Sequence, residues 1–155
     1  RQQSPCFLRH PFSWLQTALL FAIVRSWCAP PGPFVPELVV LLALALSGVT
    51  LGLAISACAA TEEMAITLIP MAVIPQIILS GTIAPLAGFS EVLAKVGVST
   101  YWGKRGLDGC LPPTVMQAAV IEQNSTAVAV LVLLLHAAAG VAVALVVLHW
   151  QSRRR

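Results

Sequence analysis

Charge is scarce in this sequence. Only 10% of its 155 residues are Asp, Glu, Lys or Arg, against roughly 25% in water-soluble domains, and a solvated globular surface is excluded on that count. No Gly-rich phosphate loop followed by Lys and Ser or Thr occurs, so the common loop that cradles a nucleotide triphosphate is missing. The four cysteines, Cys6, Cys28, Cys58 and Cys110, share no CxxC or Cys/His spacing. Neither a zinc site nor a disulfide framework is indicated, and Cys58, inside an apolar run, reads as a small hydrophobe. Arg1 to His10 lacks the charged, apolar, small-residue order of a secretory signal. The net charge of +3 comes largely from Arg153, Arg154 and Arg155. That is a terminal anchor rather than a nucleic-acid-binding face.

What the sequence has instead is apolar mass: 58% hydrophobic residues and a mean hydropathy of +0.88. It comes in long blocks between short polar stretches, the pattern of bilayer-spanning helices. The fold class expected is all-α, a polytopic transmembrane helical bundle with a short interfacial or re-entrant element. Residues 1–11 form a cytoplasmic segment, and 12–28 a helix just long enough to cross. The prolines of Ala29-Pro30-Pro31-Gly32-Pro33 then force a surface turn, because each lacks an N–H donor. Residues 38–60 form an uncharged span, 62–86 a kinked span, 87–126 an external loop, 127–150 the last span and 151–155 a basic cytoplasmic tail. By the positive-inside rule the C-terminus is cytoplasmic, although Lys95, Lys104 and Arg105 then fall outside.

Three sets of residues stand out. Gly48, Gly52, Ser56 and Ala60 recur every fourth residue, a stripe of small side chains against which a neighbouring helix backbone can come close. Thr61-Glu62-Glu63 breaks the apolar run. Thr61 is placed to cap the next helix, and the two carboxylates suit the positive end of its dipole at a cytoplasmic turn. Pro70 and Pro75 bend the following span, and Gln76 beside them serves as a cross-helix hydrogen bonder or as part of a pathway. Further along, Ser90 to Val98 suits a short amphipathic helix and Tyr101-Trp102 an aromatic pair at headgroup level. His136 is the single ionisable group inside the last span, expected as a neutral imidazole hydrogen-bonded within the bundle. Asn124-Ser125-Thr126 matches a glycosylation triplet.

Leu51-Gly52-Leu53-Ala54-Ile55-Ser56-Ala57, then Thr61-Glu62-Glu63-Met64-Ala65, Leu68-Ile69-Pro70 and Ile74-Pro75-Gln76-Ile77-Ile78-Leu79-Ser80-Gly81, resembles the permease signature of type-2 ABC exporters. The likeness is greatest to the G-subfamily, or white-type, half-transporters. It is specific over Gly48 to Leu86 and rests on hydropathy elsewhere. Ser99 to Asp108 occupies the place of that family's aromatic segment after its re-entrant region. The resemblance implies a permease segment that forms part of an export pathway and is not itself an enzyme. ATP and Mg would be bound by a partner nucleotide-binding domain, and a second permease half would complete the transporter. The expected setting is a multi-pass position in the bilayer, the bacterial inner or plasma membrane. The start on Arg and the missing ATPase are expected of a fragment of a longer polypeptide. Two alternatives carry different expectations: a small independent channel or carrier, and a non-transporting membrane anchor subunit.

Overall fold

A computed structural model describes residues 9–28, 32–83, 85–118 and 125–153. Cys6, Pro30-Pro31, Asn124 and the Arg154-Arg155 end of the basic tail lie outside the described residues, as do the side chains of residues 9–12 and 116–118. Among those described, every regular element is a helix: α1 (Arg9–Cys28), α2 (Phe34–Cys58), α3 (Glu62–Ile78), α4 (Phe89–Gly97), α5 (Ser99–Asp108), α6 (Pro113–Ala118) and α7 (Thr126–Arg153). Of these, α2 and α7 are long and apolar enough to cross a bilayer.

The helix α2 starts earlier than its apolar run suggests. Pro33 stands at its N-cap and Pro36 in its first turn, where the backbone N–H groups have no intrahelical acceptor and a proline loses nothing. This start draws Glu37 into the helix, 6% exposed. Arg25 of α1 meets it, Nη1 donating to Glu37 Oε2 at 2.8 Å and Nη2 to the Gly32 carbonyl at 3.1 Å. The guanidinium also lies 5.4 Å from the centre of the Phe34 ring, which packs on Phe21. Gly32 has to be glycine here, since a Cβ would run into the Glu37 carboxylate.

From Glu37 a buried stripe runs down α2 through Val40, Ala43, Ser47, Thr50 and Ala54. The stripe on α7 that meets it is Ala129, Leu133, Ala137 and Ala144. The two helices lie parallel. A Cβ on Gly106 would touch both Val40 and Ala129, Gly140 lies against Thr50, and Gln151 Nε2 donates to the Ala57 carbonyl at 3.1 Å near the far end. A Cβ at Gly140 would stand 2.9 Å from Thr50 Oγ1 and 3.1 Å from the Thr50 carbonyl carbon. Close approach of this kind gives membrane helices their van der Waals contact where no hydrophobic effect separates helix from lipid.

The chain then reverses through Ala59 and Ala60 into α3. Thr61 sits at its N-cap, its Oγ1 accepting the Met64 N–H at 3.2 Å, with Glu62 and Glu63 in the first turn. The helix runs through Pro70 and Pro75 and stops at Ile78, short of residue 86. Ser80 and Thr82 close a turn there through their hydroxyls, and Gly81 takes the left-handed φ of +72° that this turn needs. None of the α3 side chains is buried.

Candidate functional site: a polar elbow level with the middle of the spans

A single extended residue, Val98, joins α4 to α5. This elbow lies beside the middle of α2, since the Ser47 hydroxyl donates to Ser99 Oγ at 2.7 Å and both serines are buried. From there α5 runs back along α2 toward its N-terminal end. Gly103 lies against Leu44 and Gly106 against Val40, and a side chain at either position would crowd these residues.

An elbow at this depth must satisfy its own backbone, because an unpaired carbonyl in hydrocarbon costs several kcal/mol. Three carbonyls in the last turn of α4 have partners. Ala94 O accepts the Val98 N–H at 3.1 Å, Lys95 O accepts Trp102 Nε1–H at 2.8 Å, and Val96 O faces His136 Nε2 of α7 at 3.1 Å. The end of α3 is served by the same elbow, Thr100 Oγ1 donating to the Gln76 carbonyl at 2.5 Å. Three helices are thereby joined at one short stretch: α2 at Ser99, α3 at Thr100 and α7 at Val96.

Around this knot Ala94, Val98 and Tyr101 form an apolar cluster with Leu79, Leu86 and Trp102. Tyr101 and Trp102 meet edge to face at 5.7 Å, and the Arg105 guanidinium lies 5.1 Å from the Tyr101 ring centre. Tyr101 is 5% exposed. The aromatic pair expected at headgroup level is therefore inside the elbow: Ser99 is held at the middle of α2, and two residues further on Tyr101 cannot reach the surface. Among the described residues the Tyr101 hydroxyl is the buried side-chain polar atom without a hydrogen-bond partner.

The residues singled out in the sequence divide between this site and the outside. Gln76 joins it through its backbone carbonyl, and His136 through its ring. Gly48, Gly52 and Ser56 point away from every described neighbour of α2; a Cβ on either glycine would meet nothing within 4 Å. Pro70 and Pro75 are exposed on α3, as are Glu62 and Glu63 at its start. Ser47, Ser99 and Thr100 were not anticipated. Their signal was slight, hydroxyls within otherwise apolar or aromatic stretches, and small hydroxyls are common in membrane helices whether or not they bond across them.

Just past the C-terminal end of α5, Cys110 is buried between Gly106, whose carbonyl its Sγ–H reaches at 3.3 Å, and Thr126. Burial raises its thiol pKa above the ordinary range, a rise partly offset by the hydrogen bond with Thr126. On α4 the Glu91–Lys95 pair at 2.7 Å lowers the carboxyl and raises the ammonium, each through its hydrogen bond to the other.

Long apolar helices packed through small residues, with a backbone elbow satisfied by side chains at mid-span depth, define an all-helical membrane protein. The ABC-2 type transporter family model matches residues 5–99, more than half of the chain, and the protein belongs to that family. Searches of curated proteins and of solved structures gave no match. Membership makes the chain a permease component of an ABC-type transporter, a membrane part without an ATPase site that associates with an ABC ATPase.

Proposed function

We propose that the chain is a segment of a G-subfamily-like exporter permease, part of a longer polypeptide that pairs with a second permease half, as a homo- or heterodimer, in the bacterial inner or plasma membrane. ATP and Mg bind the nucleotide-binding partner, and substrate moves outward. The family match over residues 5–99 carries this assignment. It is supported by the order of small-residue helix, Thr61-Glu62-Glu63 turn, proline-bearing helix and elbow, which follows the order in the half-transporters the sequence resembles. In this assignment the parallel helices α2 and α7 both run from outside to inside, the Thr61 turn faces the ATPase, and the α4–α5 elbow closes the outer half of the pathway.

The direction of transport is tested by ATP-dependent efflux from inverted vesicles bearing the full-length parent; accumulation inside the vesicles is expected, and ATP-independent flux would overturn the assignment. Orientation is tested with the native thiols in a Cys6→Ser background. Cys28 and Cys58 are exposed and Cys110 is buried. An impermeant maleimide should label Cys28 from outside and Cys58 only after the cytoplasmic face is opened. Cys110 should react slowest from either side at neutral pH, because its raised pKa leaves less of the reactive thiolate. Labelling of Cys58 from outside would invert the topology.

A further inference from the structure

The short helix α4 carries an ion pair at a depth where charge is out of place. Ser99 is fixed against Ser47, beside the midpoint of α2. At about 1.5 Å per residue along α4, Lys95 is no more than about 5 Å and Glu91 no more than about 11 Å from the elbow, however α4 tilts. Both therefore fall within the hydrocarbon core, whose half-thickness is about 15 Å. Trp102, one turn along α5 toward Cys110, donates to the Lys95 carbonyl, so α4 lies on the same side of the elbow as α5. The Cys110 carbonyl in turn stands beside Gly32, at the end of the bundle that carries Cys28.

The pair is not enclosed by this chain, the side chains of Lys95 and Glu91 being 44% and 33% exposed. Their contact, Lys95 Nζ to Glu91 Oε1 at 2.7 Å, uses one of three ammonium donors and one of the several acceptor sites of the carboxylate. Lipid offers no partner for the remainder, and a charged group facing hydrocarbon near the midplane is strongly disfavoured. The apolar side of α4 is elsewhere: Phe89, Leu93 and Val96 are exposed on it. At 3.6 residues per turn Leu93 is about 160° around the helix from both Glu91 and Lys95. Within one turn of helix, and at one depth, α4 thus presents an oily side and a charged side.

We propose that the Glu91–Lys95 side of α4 lines a water-filled chamber that opens at the Cys28 end of the bundle and reaches down to the elbow. Water there completes the hydrogen bonds of the pair, and the pair forms a hydrated wall that a transported molecule meets beside the elbow. The chamber rests on the assignment of this chain to a permease, but not on which face is cytoplasmic. Cys28 and Cys58, both exposed, mark the two ends of the bundle.

The test uses sealed vesicles bearing the full-length parent, with Cys6, Cys28 and Cys58 changed to Ser and any other reactive thiols of the parent removed. Lys95→Cys, Glu91→Cys and Leu93→Cys are introduced singly and treated with a small membrane-impermeant methanethiosulfonate. Applied from the side that labels Cys28 in the unaltered protein, the reagent should modify Lys95→Cys and Glu91→Cys at least about tenfold faster than Leu93→Cys. Cys110, buried in the folded chain, should stay slower than Lys95→Cys and reports that each variant is folded. A nitroxide at position 95 should collide more with a water-soluble nickel chelate than with oxygen, and one at position 93 the reverse. In folded protein, Lys95→Cys no faster than Leu93→Cys, or reactive only from the side that labels Cys58, overturns the chamber. Labelling of Cys58 from outside, with Lys95→Cys still reached from the Cys28 side, overturns the topology proposed above and supports the chamber.

Discussion

The two faces of α2 use small residues for different ends. On one, Val40, Ala43, Ser47, Thr50 and Ala54 are buried against α5 and α7, and the glycines that allow the approach lie on the partner helices: Gly103, Gly106 and Gly140. On the other, Gly48, Gly52 and Ser56 form an open stripe with no described neighbour. A small residue in a membrane helix therefore marks a place where a backbone can come near, but not which backbone, and not whether it belongs to the same segment. The packed face accounts for the stability of this chain, while the open face is left free for contacts that the chain does not make with itself.

The sharpest way to break this comparison is one bulky side chain on each face. Gly140→Leu drives its side chain into Thr50, where even a Cβ would lie 3.1 Å from backbone. Overpacking against main chain that cannot give way should cost about 3 kcal/mol or more, enough to separate α7 from α2. Gly48→Leu and Gly52→Leu meet only open space and should change the chain's own unfolding in mixed detergent by less than about 0.5 kcal/mol. If those two variants leave the fold intact but abolish transport by the parent, the open face belongs to an assembly contact. If they unfold the chain as Gly140→Leu does, the two faces are not distinct.

The packed face begins with a charge, and this gives the next largest effect. Glu37→Leu leaves Arg25 without its carboxylate in a half-buried corner, an uncompensated charge that should cost about 3 kcal/mol. Adding Arg25→Leu removes the stranded charge, and the double variant should regain most of the loss, since a buried pair replaced by apolar residues is often nearly neutral. Detergent denaturation of the single and double variants checks both. A double variant no better than Glu37→Leu would mean that the corner depends on the carboxylate for some other contact.

Why the sequence pointed to the open face and not the packed one follows from helix geometry. The spacing of four in Gly48, Gly52, Ser56 and Ala60 is easy to see, but at 3.6 residues per turn such a stripe drifts about 40° with each step and wanders across the helix surface. The buried residues Val40, Ala43, Ser47, Thr50 and Ala54 alternate steps of three and four and stay on one line. That pattern mixes Val, Ala, Ser and Thr and looks like ordinary apolar sequence. Helical class and membrane setting were legible because they depend on bulk composition and run length. Thr61 was legible as a cap because capping is local to its own turn. The elbow was not, because Ser99 and Thr100 acquire their partners only when α5 is laid against α2 and α3, and nothing local to either residue states which carbonyl or hydroxyl it will meet.

The smallest expected effect concerns the one polar group that the packed region leaves unserved. Tyr101 is buried with its hydroxyl unpaired, and a donor held away from water without a partner costs about 1–3 kcal/mol. Tyr101→Phe keeps the ring against Trp102 and below Arg105 while removing that oxygen. In the isolated chain it should therefore be neutral or stabilising, by up to about 1 kcal/mol, whereas removal of a bonded hydroxyl would destabilise. The informative measurement pairs unfolding of the chain with ATP-driven transport by the parent. A variant that is more stable and transports normally makes the hydroxyl a cost the packed face tolerates for its ring alone. A variant that is more stable yet transports poorly gives the hydroxyl a partner in another conformation of the elbow or across the open face, and links the two regions through a single oxygen atom.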